Sequence, residues 1–233
     1  QTHMAKITSY EGKPPKSIGD YIVYPLGDDL IVKQKTGFTT KELLTSPKYA
    51  VCRQNASEFG LVSKTCKAIR MLLKEDLTQH NNLEVVNSFT KKMRSLLVHD
   101  AIHSRGAREL KTALATTAAQ QAIAGYSFNP ECRVAVRITD TTLTTLVPDD
   151  LLTTPAVCLG MRVLYLFFDF ETLTGHLEAS TWQMKTLASE ISFAVPADAP
   201  NGFWLRLVAV SFFYVTDGDW VPVLQEEKGL VVF

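Results

Sequence analysis

Past Tyr126 the spacing of apolar residues changes its period, and that change constrains the fold more than any motif does. Before it, Tyr49, Cys52, Ala56, Phe59, Ser63, Cys66, Ile69 and Leu73 recur at intervals of three and four. That is one face of a long amphipathic helix. After it, short apolar runs alternate with the turn clusters "VPDD", "TLTG", "PADAPNG", "TDGDW" and "EEKG". Candidate strands are Cys132–Ile138, Thr141–Leu146, Val157–Phe170, Gly175–Met184, Ser189–Val195, Trp204–Val215, Trp220–Leu224 and Leu230–Phe233. With no helical pattern between them, these strands predict an antiparallel β-sandwich, Ig-like or jelly-roll-like.

The first half predicts a different object. Tyr21–Tyr24 and Leu30–Lys33 flank the turn "PLGDD" and read as a hairpin, with Pro25 at a strand end because it cannot donate to a ladder. Ser46-Pro47 is an N-cap followed by proline at the first helical position, opening a helix that runs to about Lys74. A second helix covers Leu83 to Val98, with Val86, Phe89, Met93, Leu96 and Leu97 inward. A third covers Glu109 to Ile123, with Gly125 as its cap. The expected fold class is therefore α+β. Residues 4–125 form a hairpin plus three helices, and residues 126–233 form the sandwich. Gln1–His3 read as a cloning remnant.

The run "VLYLFFDFETLTGHLEASTW", Val163 to Trp182, tests this reading. Its first half alternates poorly, as a central strand covered on both faces does. In its second half Leu177, Ala179 and Thr181 share one face, and His176, Glu178, Ser180 and Trp182 the other. His176 is expected to lie opposite Asp169 or Glu171 as a charge pair at a sheet rim.

The 233 residues carry no net charge, but the halves differ. Residues 1–125 hold 18 Lys+Arg and 11 Asp+Glu, so 18 − 11 = +7; residues 126–233 hold 6 and 13, so 6 − 13 = −7. Such asymmetry suits self-association through opposite potentials. No apolar run approaches the roughly 20 residues of a membrane-spanning helix, and without a recognisable signal peptide a cytoplasmic location is expected. Cys52, Cys66, Cys132 and Cys158 form no C-x-x-C pair, so buried free thiols are expected rather than a disulfide or zinc framework.

The sharpest chemical candidate is "HDAIHSRGARE", His99 to Glu109. It resembles the zinc metallopeptidase pattern H-E-x-x-H-x-x-G-x-x-H, with His99, His103 and Glu109 as ligands. Asp100 stands where the general base belongs and is one methylene too short to reach a zinc-bound water. No nucleophile elbow and no phosphate-binding glycine loop occurs. "TDGDW" lacks the oxygen ligands of a calcium loop and reads as a hairpin turn. Lys67, Arg70 and Lys74, with Arg53, Lys64, Lys91, Lys92 and Arg94 nearby, make a basic surface. Glu58, Glu75, Asp76 and Glu84 interrupt it, and no aromatics interleave, so nucleic-acid binding is not expected. Trp182, Trp204 and Trp220 are the side chains a carbohydrate-binding sandwich would expose.

The segment from "YIVYPLGDDLIVKQKTGFTTKELL" through "SPKYAVCRQNASEFGLVSKTCKAIR" resembles a group of uncharacterised Bacteroidota proteins. Ser46, Pro47, Tyr49, Arg53, Asn55, Glu58, Phe59, Gly60, Ser63, Lys67, Ile69 and Arg70 carry the likeness, over about a third of the chain. It implies an architecture of hairpin, helix and strand-rich half, and no activity. It also singles out Arg53, Asn55 and Glu58, with Lys67 and Arg70, as interface candidates. Neighbouring on one helix face, Asn55 and Glu58 are expected to dock the helix on the hairpin. The function expected is that of a non-catalytic structural or interaction protein with no cofactor, able to self-assemble. The alternatives are a zinc hydrolase at His99, His103 and Glu109, or a carbohydrate- or nucleic-acid-binding module.

Overall fold

A computed structural model describes residues 4–7, 12–35, 39–77, 83–139 and 141–233, so Gln1–His3, expected to be a cloning remnant, lie outside the described residues. The protein is α+β with antiparallel sheets throughout, as its sequence predicts. It divides into two compact units, Gln1–Arg53 and Gln54–Phe233.

The first unit carries a four-stranded sheet rather than a lone hairpin. The hairpin strands are β3 (Tyr21–Leu26) and β4 (Asp29–Gln34); β1 (Met4–Ile7) and β2 (Ser17–Ile18) extend it in the order β1-β4-β3-β2. Gly27, at φ +61, takes the first central position of the two-residue turn, as a II′ hairpin requires. Pro25 lies inside β3, paired with Leu30, and not at its end. The Val23 amide donates to the Lys16 carbonyl on the β2 side, and Pro25, two residues on, turns its nitrogen to that same side beyond the reach of the two-residue β2. A short helix that hydrophobic spacing does not reveal, α1 (Thr40–Thr45), follows. Its capping box is visible in the sequence: Thr39 accepts from the Glu42 amide, and the Glu42 side chain accepts from the Thr39 amide.

The long helix α2 (Ala50–Leu72) follows a 3-10 turn at Pro47–Tyr49. Its N-terminal apolar stripe does not face a core: Cys52, Ala56 and Phe59 are exposed, while Val62, Cys66, Ile69 and Leu73 are buried. The expectation that Cys52 shares the inner face with Cys66 is thereby corrected. Within the helix, core packing begins at Val62, about halfway along.

In that unit the sheets are stacked as predicted, with helices as a further layer. The central strands are β7 (Cys158–Asp169) and β11 (Leu205–Thr216), joined by β8 (Thr174–Ala179), β9 (Gln183–Thr186), β12 (Asp219–Val223) and β13 (Gly229–Val232). A smaller sheet holds β5 (Ala135–Ile138), β6 (Thr142–Leu146) and β10 (Glu190–Ala194). Alternation along β7 and β11 explains the greasy run. Leu159, Met161, Val163, Val208, Val210 and Phe212 meet Leu143, Ile191 and Phe193 of the small sheet. Leu164, Leu166, Leu205 and Leu207 meet α2 and the helices α3 (Leu83–Leu96), α4 (Leu110–Leu114) and α5 (Thr117–Ile123). β7 is covered on both faces, and so has no polar side to show.

Three expected elements differ. The third helix breaks into α4 and α5 because the Thr116 hydroxyl donates to the Ala113 carbonyl and accepts the Ala119 amide, ending one helix and capping the next. The strand expected from Cys132 starts at Ala135, since Glu227 takes both the amide and the guanidinium of Arg133. The strand Gly175–Met184 is split between β8 and β9. Leu164 pairs with Ala179, but Met161 pairs with Gln183, so Ser180, Thr181 and Trp182 oppose only Arg162 and Val163. This is a β-bulge. The Ser180 hydroxyl accepts the Val163 amide across it at 3.0 Å.

Candidate functional site

The H-D-x-x-H segment, His99 to His103, is a loop and not a turn of helix. His99 ends a 3-10 turn after α3, and α4 does not begin until Leu110. Asp100 is buried at the centre of that loop. Its Oδ1 accepts from the amides of Ile102 and His103, and its Oδ2 from the Glu109 amide and His103 Nδ1 at 2.7 and 2.8 Å. Burial alone would raise its carboxyl; the bonds from the Glu109 amide, the His103 amide and ring, and the Ile102 amide outweigh it and hold the group well below the usual carboxylate range. All of its acceptor capacity is committed to folding the loop. Glu109 contributes its backbone amide to Asp100 and sits exposed at the α4 N-cap. Among the described residues no group of three or more His, Cys, Asp or Glu could hold a metal ion.

Asn55 and Glu58 on α2 hold the same loop. Arg108 donates to both oxygens of Glu58, at 2.8 and 2.9 Å, and the Gly106 amide donates to Oε1 at 2.7 Å. Arg105 donates to Asn55 Oδ1. Gly106 has φ +99, and a Cβ there would stand 2.8 Å from the Gln54 side chain, so only glycine brings its amide this close. Arg53 is likewise internal to its own unit, donating to the Leu43 and Ser46 carbonyls and closing the turn between α1 and α2. Lys67 is exposed. Arg70, expected beside it on a solvated stripe, is 8% exposed.

Two of the three tryptophans converge on one cavity of about 430 Å³ on the helix-facing side of the large sheet. The bulge brings Trp182 there. In unbroken register Trp182 would oppose Met161 and point toward the small sheet; the extra residue puts it alongside Arg162. Arg162 lies over the Trp182 ring at 4.7 Å and donates to Asp76 Oδ1 at 2.6 Å. Phe213 meets Trp182 edge-on, Trp220 forms a half-exposed wall, and Glu75 and Lys228 complete the polar rim. Gly160 makes the room: a Cβ there would lie 2.6 Å from the Phe213 ring and 2.8 Å from Met184 Sδ. Two polar atoms of this cavity, Ser211 Oγ and Arg162 Nε, are buried and have no hydrogen-bond partner. Unsatisfied buried groups of this kind are uncommon and costly.

Trp204 lies elsewhere, against Phe168 and Phe170. His176 does not meet Asp169; it stacks flat on Phe167 at 4.6 Å, its partner in the β7–β8 register. Sequence reasoning missed Arg162, Asp76 and Ser211, which come from three distant segments with no shared motif. Among the described residues no helix is long and apolar enough to cross a membrane. No protein-family model, no curated protein and no solved structure matches this chain.

Proposed function

We propose that this chain is a non-catalytic binding protein whose Trp182–Trp220 cavity receives a saccharide. The observation that carries the reading is an aromatic-walled cavity whose buried Ser211 hydroxyl and Arg162 Nε are left without partners. A pyranose has an apolar C–H face for an indole and a rim of hydroxyls for such donors and acceptors. Arg162, clamped by Asp76 and Trp182, is held rigidly for that task. Among the described residues that line the cavity, the Ser211 hydroxyl has no base bonded to it, which favours binding over turnover.

Calorimetric titration with a panel of neutral oligosaccharides tests this. One or more members should bind, and Trp220→Ala, at a half-exposed wall, should weaken binding about tenfold or more with an unchanged melting temperature. Absence of binding across the panel, or equal affinity in the variant, refutes it.

Self-association is a second reading, favoured by the first unit. Among its described residues only Val23 and Ile31 are buried, and the register places them on opposite faces, Val23 beside Val32 and Ile31 beside Tyr24. Neither face of the sheet therefore has a core, while Ile18 and Leu26 are 56% and 63% exposed. The occupant proposed is the acidic half of a second copy, complementary to the basic half. Light scattering should find oligomers that grow with concentration, dissociate in salt and are lost in Ile18→Glu/Leu26→Glu. A monomer at every concentration counts against it.

A further inference from the structure

A second site lies in the groove between α2 and α3. Phe59, Ser63 and Arg70 line it from α2, and Asn87, Lys91 and Arg94 face them from α3, around a volume of about 470 Å³. The α3 residues are spaced by four and three, which sets them along one side of the helix. Arg94 lies over the Phe59 ring at 5.9 Å, holding its guanidinium at the groove mouth. Among the described residues three cations thus share one groove, and no carboxylate lines it.

Arg70 makes the groove more than a basic patch. It is nine-tenths buried, yet its Nε and Nη1 have no hydrogen-bond partner. An arginine stays charged in a protein, and a buried charge without a counter-charge is strongly unfavourable. The two acidic groups that act on it, Cys66 and Tyr126, supply none: burial pushes the Cys66 thiol up to about 12, and burial likewise raises the Tyr126 phenol. Glu58, on the same helix, is consumed by Arg108. Among the described residues, then, no counter-charge meets Arg70 Nε or Nη1, which leaves the place for an anionic ligand.

We infer that this groove binds a phosphate group, with Arg70 as the buried anchor and Lys91 and Arg94 as the outer clamp. Guanidinium groups match phosphate oxygens in a planar, two-pronged geometry, which suits Arg70 and Arg94 to the role better than lysines. The groove is open enough for the phosphate to be the end of a larger molecule, either a soluble phosphate monoester or a phospholipid headgroup. Its residues are separate from those of the tryptophan cavity, so the two readings stand or fall independently.

Melting of the full chain in chloride and in inorganic phosphate at equal ionic strength, with calorimetry, tests the inference. Phosphate should raise the melting temperature of the wild type. The Lys91→Gln/Arg94→Gln variant, altered only at exposed positions, should bind phosphate about tenfold or more weakly. Arg70→Met should abolish the phosphate response and, by removing an unpaired buried charge, should melt no lower than wild type in chloride. Co-sedimentation with phosphatidylcholine vesicles containing phosphatidic acid separates the two sources: vesicle binding lost in Lys91→Gln/Arg94→Gln assigns a headgroup, and a response to free phosphate alone assigns a soluble ligand. A wild type indifferent to both probes overturns the proposal, as does undiminished binding in the double variant. Should Arg70→Met fail to fold, the double variant decides.

Discussion

Replacing Asp100 with alanine is expected to destabilise the second unit by about 3 kcal/mol, although Asp100 occupies the place of a catalytic base in a metallopeptidase-like motif. The side chain is fully buried and accepts three amides and a ring nitrogen. Alanine leaves those amides without acceptors in a loop that must still close between α3 and α4. Asparagine at the same position would restore one acceptor oxygen and should recover part of the loss. Urea denaturation of Asp100→Ala and Asp100→Asn measures both; a change under about 1 kcal/mol for alanine would sink the structural assignment. The same bonds set a pH dependence. The folded carboxyl titrates below its unfolded value of about 4, so the unfolded chain binds the proton first. Its contribution is complete above about pH 4 and declines as pH falls below that value. The stability gap between wild type and Asp100→Ala should be constant from neutral pH down to about 5 and should narrow under more acid conditions.

Phe89→Ala should cost about 3–5 kcal/mol, the range for removing a fully buried aromatic ring. Phe89 has no exposed surface and lies 4.7 Å from the Phe128 ring and 5.7 Å from that of Tyr126. Those partners follow the helices and are tied to the closing strand: the Phe128 amide donates to the Leu230 carbonyl, and the Val232 amide to the Tyr126 carbonyl. Phe89 therefore joins α3 to the sheet. The three tryptophans all lie in the strand-rich half, whereas the mutation is in a helix. If helices and sheet share one core, tryptophan fluorescence and helical circular dichroism should report one coincident transition, shifted equally by the mutation. Separate transitions, with the fluorescence midpoint unmoved, would show that they fold apart. Since a typical domain has only about 5–15 kcal/mol in hand, Phe89→Leu offers a milder version should the alanine variant not fold.

Much of the fold was legible because its signals are local. The three-and-four spacing around Ile69 and Phe89 needs no knowledge of what it packs against, and the turns at Gly27 and Gly218 announce their hairpins through residues able to take positive φ. The split at Thr116 was less legible, because a threonine hydroxyl serves equally in a helix and at its end. Exposure of Cys52 and Phe59 could not be read, since an apolar stripe says which face is greasy and not how much of it finds a neighbour. The candidate sites were the least legible. Trp182 reaches its cavity only because one extra residue in the β8–β9 segment reverses its side of the sheet. Asp76, Arg162 and Ser211 meet there from separate elements.

By itself the sequence determined where the chain turns from helical to extended and that the run after Met161 is covered on both faces, because backbone propensity and apolar period act over a few residues. Which charges are satisfied was decided only in three dimensions. Glu58 and Asp100 find their donors in one loop, and Arg70 Nε and Nη1 find no acceptor, because the worth of a charge depends on whatever the fold places beside it once water has been excluded.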